Sequence, residues 1–218
     1  MNFKYIVFDL DGTLTEPKEG ITKSIQYALS KMGIEVSDLE SLTKYIGPPL
    51  IPCFMQDFDM TEEEATKALM FYRERFIKTG MFENVMYDGI KELLESLKKA
   101  GKTVILATTK PTPQAEGVLN YFKLTEYFDV IGGSNLSGTV VEKPDVMREA
   151  FKQVENIDLT KAVMVGDRKY DVAGAKAHNI PCIGVLYGHG SRKELEEAGA
   201  DMLVGSVEEL SQILLKSV

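Results

Sequence analysis

Short apolar runs alternate with amphipathic helical patterns along most of this chain, and this alternation constrains the fold more than any other feature. The runs are rich in β-branched and aromatic residues and have the length of buried parallel strands. They lie at residues 4–10, 103–108, 129–132, 162–166 and 182–186. Helical patterns lie at residues 88–100, 112–122, 144–154, 171–178, 191–198 and 206–215. This order predicts an α/β fold, a doubly wound parallel sheet of the Rossmann-like type.

One stretch breaks the alternation. Between residues 16 and 82 the sequence shows only helical patterns, at residues 21–32, 38–45, 49–58 and 61–78. In the last of them, Thr61 and Glu64 form a capping-box pattern at the start, and Leu69, Tyr72 and Phe76 form a stripe typical of a bundle core.

This stretch predicts a small all-helical cap domain, residues 16–82, inserted after the first strand of a core that comprises residues 1–15 and 83–218. Open parallel sheets bind ligands beyond the carboxyl ends of their strands. An insertion at the end of the first strand is therefore expected to act as a lid.

Charge and composition exclude several functional classes. The 218 residues include 25 basic and 33 acidic ones, and the formal charge of −8 disfavours a nucleic acid polymer or an anionic membrane as partner. No apolar run approaches the roughly 18 residues that a membrane-spanning helix needs. No signal-peptide pattern precedes Asp9, so we expect a cytoplasmic protein. Cys53 and Cys182 form no spacing motif and are expected to be small buried hydrophobes.

Two pairs of carboxylates follow predicted strands. Asp9 and Asp11 follow the first strand, and Asp167 and Asp171 follow the strand at 162–166. Oxygen ligands with open positions suit Mg²⁺, which binds through a few carboxylates together with a substrate phosphate. The alternatives are a solvated turn for the first pair and a helix cap for Asp171.

Polar and basic residues are expected at the same edge of the sheet. Thr108, Thr109 and Lys110 follow the strand at 103–108, where a hydroxyl and the N–H groups of a helix N-terminus favour a phosphate-binding segment. An ordinary threonine helix cap is the alternative. Lys143 begins another helix and is a cation that can reach this edge.

Together these motifs resemble those of the haloacid dehalogenase superfamily. They are Asp9-x-Asp11-Gly12-Thr13, then Thr108, then Lys143-Pro144, then Gly166-Asp167-x-x-x-Asp171. The helical insertion is similar to that superfamily's cap of the first type. Residues 85–89, 107–111 and 187–192 resemble its phosphoglycolate-phosphatase-like and 5′-nucleotidase branch.

The resemblance implies that Asp9 is a nucleophile that forms an aspartyl-phosphate. Asp11 would protonate the leaving group and then deprotonate the attacking water. Mg²⁺ would be the cofactor, held by Asp9, the backbone carbonyl of Asp11, and Asp167.

The remaining motif residues would handle the phosphoryl group. Thr108, Thr109 and Lys143 would bind its oxygens, and Asp171 would orient Lys143 or a metal-bound water. Thr109 and Arg168 depart from the commoner pattern of the branch, which leaves the substrate open.

The cap contributes one candidate substrate contact. The Gly47-Pro48-Pro49 segment resembles a cap loop that faces the active site in relatives, and glycine followed by two prolines favours a rigid turn. A simple connection between helices is an equally open interpretation. His178 and His189 have no ligand partner in the sequence and are interpreted as non-catalytic.

The predicted function is Mg²⁺-dependent hydrolysis of a small phosphorylated metabolite, with phosphoglycolate and nucleoside monophosphates as candidates. The alternatives are a phosphomutase on a sugar phosphate and a catalytically silent metabolite-binding module. The superfamily's dehalogenase reaction is disfavoured because Asp11 and Asp167 would have no role in it. A phosphonate hydrolase would need a Schiff-base lysine, for which no cap lysine lies in a recognisable motif. The oligomeric state stays open.

Overall fold

A computed structural model describes residues 3–135 and 139–216 of the chain. These residues form two compact units. The sheet unit comprises Met1–Glu16 and Met86–Val218, and the helical unit comprises Pro17–Val85.

The structure contains short strands and helices in regular alternation outside the helical unit. The strands are β1 Tyr5–Phe8, β2 Thr15–Glu16, β3 Val85–Met86, β4 Thr103–Pro111, β5 Val130–Ser134, β6 Ala162–Gly166, β7 Cys182–Val185 and β8 Met202–Val204. The helices are α1 Lys18–Lys31, α2 Leu50–Asp57, α3 Glu62–Lys78, α4 Ile90–Lys99, α5 Thr112–Tyr121, α6 Lys143–Phe151, α7 Lys169–Ala177, α8 Arg192–Ala198 and α9 Val207–Leu215. Short 3-10 helices lie at Glu40–Tyr45, Gly80–Phe82, Thr125–Tyr127 and Leu159–Lys161.

Six of the strands form one sheet in the order β5-β4-β1-β6-β7-β8, with every neighbouring pair parallel. The predicted α/β fold with a doubly wound parallel sheet is confirmed. The sequence patterns missed β8, which is three residues long, and the separate two-stranded pairing of β2 with β3. Elements this short contain too few residues to show a period.

The centre of the sheet sets the position of the polar residues that follow it. Every residue of β1 is buried, as expected for a parallel strand covered on both faces. Phe8 is in register with Leu106 of β4 and Val165 of β6. Because the three strands are parallel, their carboxyl ends lie at one common edge of the sheet.

Apolar residues of strands and helices form the core of the sheet unit. Val7, Ile105 and Met164 pack with Val146 and Met147 of α6 and with other helix residues. On α4, the residues Ile90, Leu93, Leu94 and Leu97 are buried, as their spacing predicts. Gly101 follows that helix with φ +70°, a conformation that glycine adopts without strain.

The end of β4 differs from the prediction. We expected the strand to end at residue 108 and Thr108 and Thr109 to lie at a helix N-terminus, but β4 continues through Pro111, whereas α5 begins at Thr112 as predicted. A residue that precedes proline avoids the helical region, so Lys110 stays extended and the strand is longer than expected. The register also shifts here, because four steps from Ala107 along β4 accompany only two along β5.

The helical unit is built on the three helices α1, α2 and α3. The predicted capping box is confirmed: Glu64 N–H donates to Thr61 Oγ1 at 3.3 Å, and Thr61 N–H donates to Glu64 Oε2 at 2.9 Å. The predicted stripe also lies in the core, where Tyr72 and Phe76 are buried with ring centroids 5.3 Å apart and Leu69 packs at the margin. The predicted helix at 38–45 is a 3-10 helix instead.

Two further expectations concern the two cysteines and the length of the helices. Cys182 is buried and Cys53 is partly buried, and the two do not form a disulfide bond. Among the helices in the described part of the chain, none combines the length and the apolar character that a membrane crossing requires.

Candidate active site

The segment after β1 turns sharply at the carboxyl edge of the sheet. Asp9 continues the strand, since its N–H donates to the carbonyl of Val165 at 3.0 Å. The backbone then reverses at Gly12, which has φ +81°. A Cβ on Gly12 would collide with the carboxylate of Asp167, so only glycine lets the two segments approach this closely.

Three carboxylates form a buried acidic cluster at this edge. Asp9, Asp167 and Asp171 each place an oxygen within 4.8 Å of the others. Asp167 and Asp171 have no exposed surface, and Asp9 is 7% exposed. The register of β1 and β6 brings these residues together although the sequence separates them widely.

Lys143 is the cation of this cluster. Its ammonium lies 2.9 Å from Asp9 Oδ1 and 2.8 Å from Asp171 Oδ1, and it donates to the carbonyl of Ala107 at 3.0 Å. Burial disfavours the charged ammonium, but the negative charges of Asp171 and Asp9 outweigh this effect and raise its pKa. Lys143 is therefore a fixed positive charge with three partners.

One ammonium does not balance three carboxylates. Burial and the charges of Asp171 and Asp9 raise the pKa of Asp167. Its Oδ2 accepts the N–H of His189 at 2.7 Å, whereas its buried Oδ1 has no hydrogen-bond partner among the described residues. Buried carboxylate oxygens of this kind, facing two others, fit a hard divalent cation.

Asp171 has two contacts that correspond to its two predicted roles. One oxygen pairs with Lys143, and the other accepts the N–H of Arg168 at 3.0 Å at the start of α7. Burial raises its pKa, and the ammonium of Lys143 opposes that shift. The side chain both caps the helix and fixes the lysine. Arg168 itself pairs with Glu194 at 2.9 Å.

Asp11 lies next to the cluster and has a cation of its own. Its Oδ2 is 2.5 Å from the ammonium of Lys110, and the two side chains are 12% and 5% exposed. Burial raises the pKa of Asp11, and Lys110 opposes this shift. The sequence patterns placed Lys110 in a phosphate-binding segment but did not predict its contact with Asp11, because no periodic pattern marks the irregular end of β4.

The other predicted site residues are Thr108 and Thr109 in the sheet unit and Gly47 in the helical unit. Thr108 is buried in the irregular end of β4, where its Oγ1 accepts the N–H of Lys110 at 3.3 Å, and Thr109 beside it is partly buried. Gly47 belongs to the helical unit and has φ +106° in the turn between Glu40–Tyr45 and α2.

The segment after β7 adds residues that the sequence did not reveal. His189 donates its N–H to Asp167, and its Nε2 lies 3.0 Å from Glu16 Oε1. The other oxygen of Glu16 accepts the hydroxyl of Tyr87 at 3.3 Å, and Tyr187 donates its hydroxyl to the carbonyl of Thr13 at 3.1 Å. No local motif joins these positions, so only the folded chain shows them together. His178 lies elsewhere, with its Nε2 2.8 Å from the carbonyl of Pro144.

The chain is similar in sequence to known proteins. The model of the haloacid dehalogenase-like hydrolase family matches residues 6–185. A protein of Pseudomonas aeruginosa named 5′-nucleotidase is 42% identical over 98% of this chain and 96% of its own length. A protein of Mycobacterium tuberculosis named tyrosine-protein kinase PtkA is 33% identical over 96% of this chain and 72% of its own length.

A solved structure shows the same fold. A crystal structure described as a predicted phosphatase from Clostridium acetobutylicum superimposes with a TM-score of 0.94 and 50% identity over 99% of both chains. The resemblance inferred from the motifs, and the enzyme class that it implies, are confirmed. On the strength of its sequence match and its sheet topology, this chain belongs to the haloacid dehalogenase-like hydrolase family.

Proposed function

We propose that this chain is a Mg²⁺-dependent phosphomonoesterase that hydrolyses a small phosphorylated metabolite through an aspartyl-phosphate on Asp9. The observation that carries the proposal is the acidic cluster, which surrounds one buried ammonium at the carboxyl edge of the sheet. Relatives named 5′-nucleotidase and predicted phosphatase support the same chemistry.

Asp9 is the nucleophile of the proposed reaction. One of its carboxylate oxygens forms a bond to phosphorus while the bond from phosphorus to the ester oxygen breaks. Lys143 is held 2.9 Å from Asp9, so it neutralises charge on the phosphoryl oxygens beside the nucleophile. Its contact with Asp171 keeps the ammonium in that place.

Asp11 moves the proton in both halves of the reaction. In the first half its carboxyl donates a proton to the departing ester oxygen. In the second half the carboxylate takes a proton from the water that attacks the phosphoryl group, and inorganic phosphate leaves with Asp9 restored.

The residues that would hold Mg²⁺ are Asp9, Asp167 and the backbone carbonyl of Asp11. When bound, the ion supplies positive charge between the anionic nucleophile and the anionic substrate. The buried and unpartnered Oδ1 of Asp167 supports this assignment. Asp171 is left to orient Lys143, with which it pairs.

Three further residues are candidates for contacts with the substrate. Thr108 and Thr109 would bind the phosphoryl group from the end of β4, and Gly47 would contact the rest of the substrate. In this proposal residues 1–15 and 83–218 form the catalytic core, and residues 16–82 form a cap that selects the substrate. A nucleoside monophosphate is the first candidate because of the relative named 5′-nucleotidase, and phosphoglycolate is the second. We place the activity in the cytoplasm.

The test is phosphate release from phosphoglycolate, nucleoside monophosphates, sugar phosphates and p-nitrophenyl phosphate, with Mg²⁺ or with a chelator. We expect Mg²⁺-dependent release that falls at least about 10³-fold in Asp9→Asn, since loss of a nucleophile has effects of this size or larger. Asp145→Asn is the matched control, because Asp145 pairs with Arg148 at the surface. Metal-independent release, or full activity in Asp9→Asn, would contradict the proposal.

The same experiment separates the alternatives. A phosphomutase would interconvert sugar phosphates with little release of inorganic phosphate. A silent module would bind a phosphorylated metabolite and leave it unchanged.

A further inference from the structure

The end of β4 is irregular at the point where the site is built. Four steps along β4 between Ala107 and Pro111 accompany two steps along β5 between Gly132 and Ser134. Extra residues in one strand disrupt the hydrogen-bond ladder, and such bulges re-aim side chains near functional sites. Here the irregular segment contains Lys110, which is 8% exposed.

Burial of this lysine is not explained by stability. Taking a charged pair out of water costs several kcal/mol per ion before their attraction offsets it, and a buried ion pair is weak evidence for stability. Lys110 lies beside Asp11, and Lys143 serves Asp9 and Asp171. The two buried lysines therefore have separate carboxylate partners.

The two oxygens of Asp11 have different surroundings. Oδ2 is 2.5 Å from the ammonium of Lys110. Oδ1 is buried and has no hydrogen-bond partner within residues 3–135 and 139–216. One oxygen is thus held by an ion pair, and the other has no such contact among the described residues.

We propose that Lys110 is the positioning residue for Asp11, whose Oδ2 it holds so that Oδ1 carries the proton of the reaction. This inference rests on the proposed function. The proton moves from Asp11 Oδ1 to the ester oxygen as the bond between that oxygen and phosphorus breaks. In the second half it moves from water to the same Oδ1.

The proposal predicts that the effect of replacing Lys110 depends on the leaving group of the substrate. An alkoxide is a poor leaving group that needs a proton, whereas p-nitrophenolate leaves without one. Since kcat/KM reports the step that breaks the ester bond, Lys110→Met is expected to lower it about 10²-fold for the best alkyl phosphomonoester. For p-nitrophenyl phosphate we expect a loss of less than about threefold, because acid assistance contributes little there. Lys110→Arg, which keeps the charge, is expected to recover part of the activity.

A double-mutant cycle shows whether Lys110 acts through Asp11. Asp11→Asn and the double variant Asp11→Asn/Lys110→Met are expected to have kcat/KM values within about twofold of each other, because residues that act as a unit are not additive. Lys98→Met is the matched control, since Lys98 pairs with Asp129 at 2.6 Å outside the site. This control variant should leave kcat/KM unchanged for both substrates. Circular dichroism and thermal melting verify that each variant folds.

A second readout needs no turnover. Asp11→Asn leaves the buried ammonium of Lys110 without its carboxylate, so its melting temperature should be lower than that of the double variant. Equal losses on both substrates, or additive losses in the cycle, would show that Lys110 acts independently of Asp11 and would overturn the inference alone. If wild-type protein released no phosphate from any substrate, the proposed function would fall and this inference with it.

Discussion

The carboxyl edge of the sheet unit and the surface of the helical unit use the same pairs of charged residues in opposite ways. At the sheet edge, the side chains of Lys110 and Lys143 are 5% and 2% exposed, and each contacts aspartate. In the helical unit, Lys44 also contacts an aspartate, Asp57, at 2.6 Å, but these side chains are 61% and 30% exposed.

The difference shows what each region is built for. The helical unit is held together by a buried apolar cluster that includes Ile25, Phe54 and Phe76, and its ion pairs lie outside that cluster. Exposed pairs of this kind contribute between nothing and about 1 kcal/mol. At the sheet edge, charges are buried at a cost that the apolar core of the sheet unit must offset. We interpret that cost as the requirement of a site that binds an anion.

The test with the largest expected effect removes one lysine from each region. Lys143→Met leaves two buried carboxylates, Asp9 and Asp171, without the ammonium that contacts both, and we expect the free energy of unfolding to fall by about 3–5 kcal/mol. Lys44→Met, the matched variant of the helical unit, is expected to change it by less than about 1 kcal/mol. Urea unfolding without Mg²⁺ measures both. Equal effects of the two variants would show that burial does not separate the regions.

The second test adds the cation that the acidic cluster is proposed to hold. At a Mg²⁺ concentration about 100 times the dissociation constant, binding to the folded state adds about 2.7 kcal/mol of stability. For a chain of this size that corresponds to a rise of roughly 5–10 °C in melting temperature. Lys44→Met should show the full rise, because the helical unit supplies no ligand.

Asp167→Asn is the variant that removes the response to Mg²⁺. Without the ion it should be at least as stable as wild type, since burial and the neighbouring carboxylates disfavour the ionised form of Asp167. The metal assignment would be contradicted if Mg²⁺ did not raise the melting temperature of the wild-type protein. It would also be contradicted if Asp167→Asn showed the full rise.

The test with the smallest expected effect concerns the most buried ion pair of the helical unit, between Arg75 and Glu83. Arg75 donates to both oxygens of Glu83, at 2.8 and 3.0 Å, and these bonds lower the pKa of Glu83 although partial burial opposes the shift. Lys23 lies 3.5 Å from the same carboxylate. We expect Glu83→Gln to lower the free energy of unfolding by about 1 kcal/mol at pH 7, because a two-bond arginine–carboxylate pair exceeds ordinary surface pairs.

The pH dependence of this pair has a defined sign. A carboxyl whose pKa is lowered in the folded state stabilises that state fully above its ordinary pKa of 4.5. The contribution is lost as the pH falls through the lower pKa of the folded state. The stability difference between wild type and Glu83→Gln should therefore be constant near neutral pH and vanish in acid. A difference that persists at low pH would mean that packing, not charge, is responsible.

Much of the fold and part of the site were predictable from local patterns. Five of the six strands of the sheet were visible because buried parallel strands are continuous apolar runs, and the capping box at Thr61 marked the start of α3 within one residue. The end of β4 was not, since Pro111 and the pairing with β5 extend the strand beyond residue 108. The motif residues Asp9, Asp167 and Lys143 were named from the sequence, and the structure places them in one cluster.

The sequence by itself determined the class of fold, the family and the acidic residues, because periodicity, turn chemistry and short motifs are local properties. Only the tertiary structure decided which charged side chains contact each other. The pairing of Lys110 with Asp11 depends on a register shift in β4, and the contact of His189 with Asp167 depends on the segment after β7. Such contacts join distant parts of the chain through sheet register and close packing, and no local pattern encodes them.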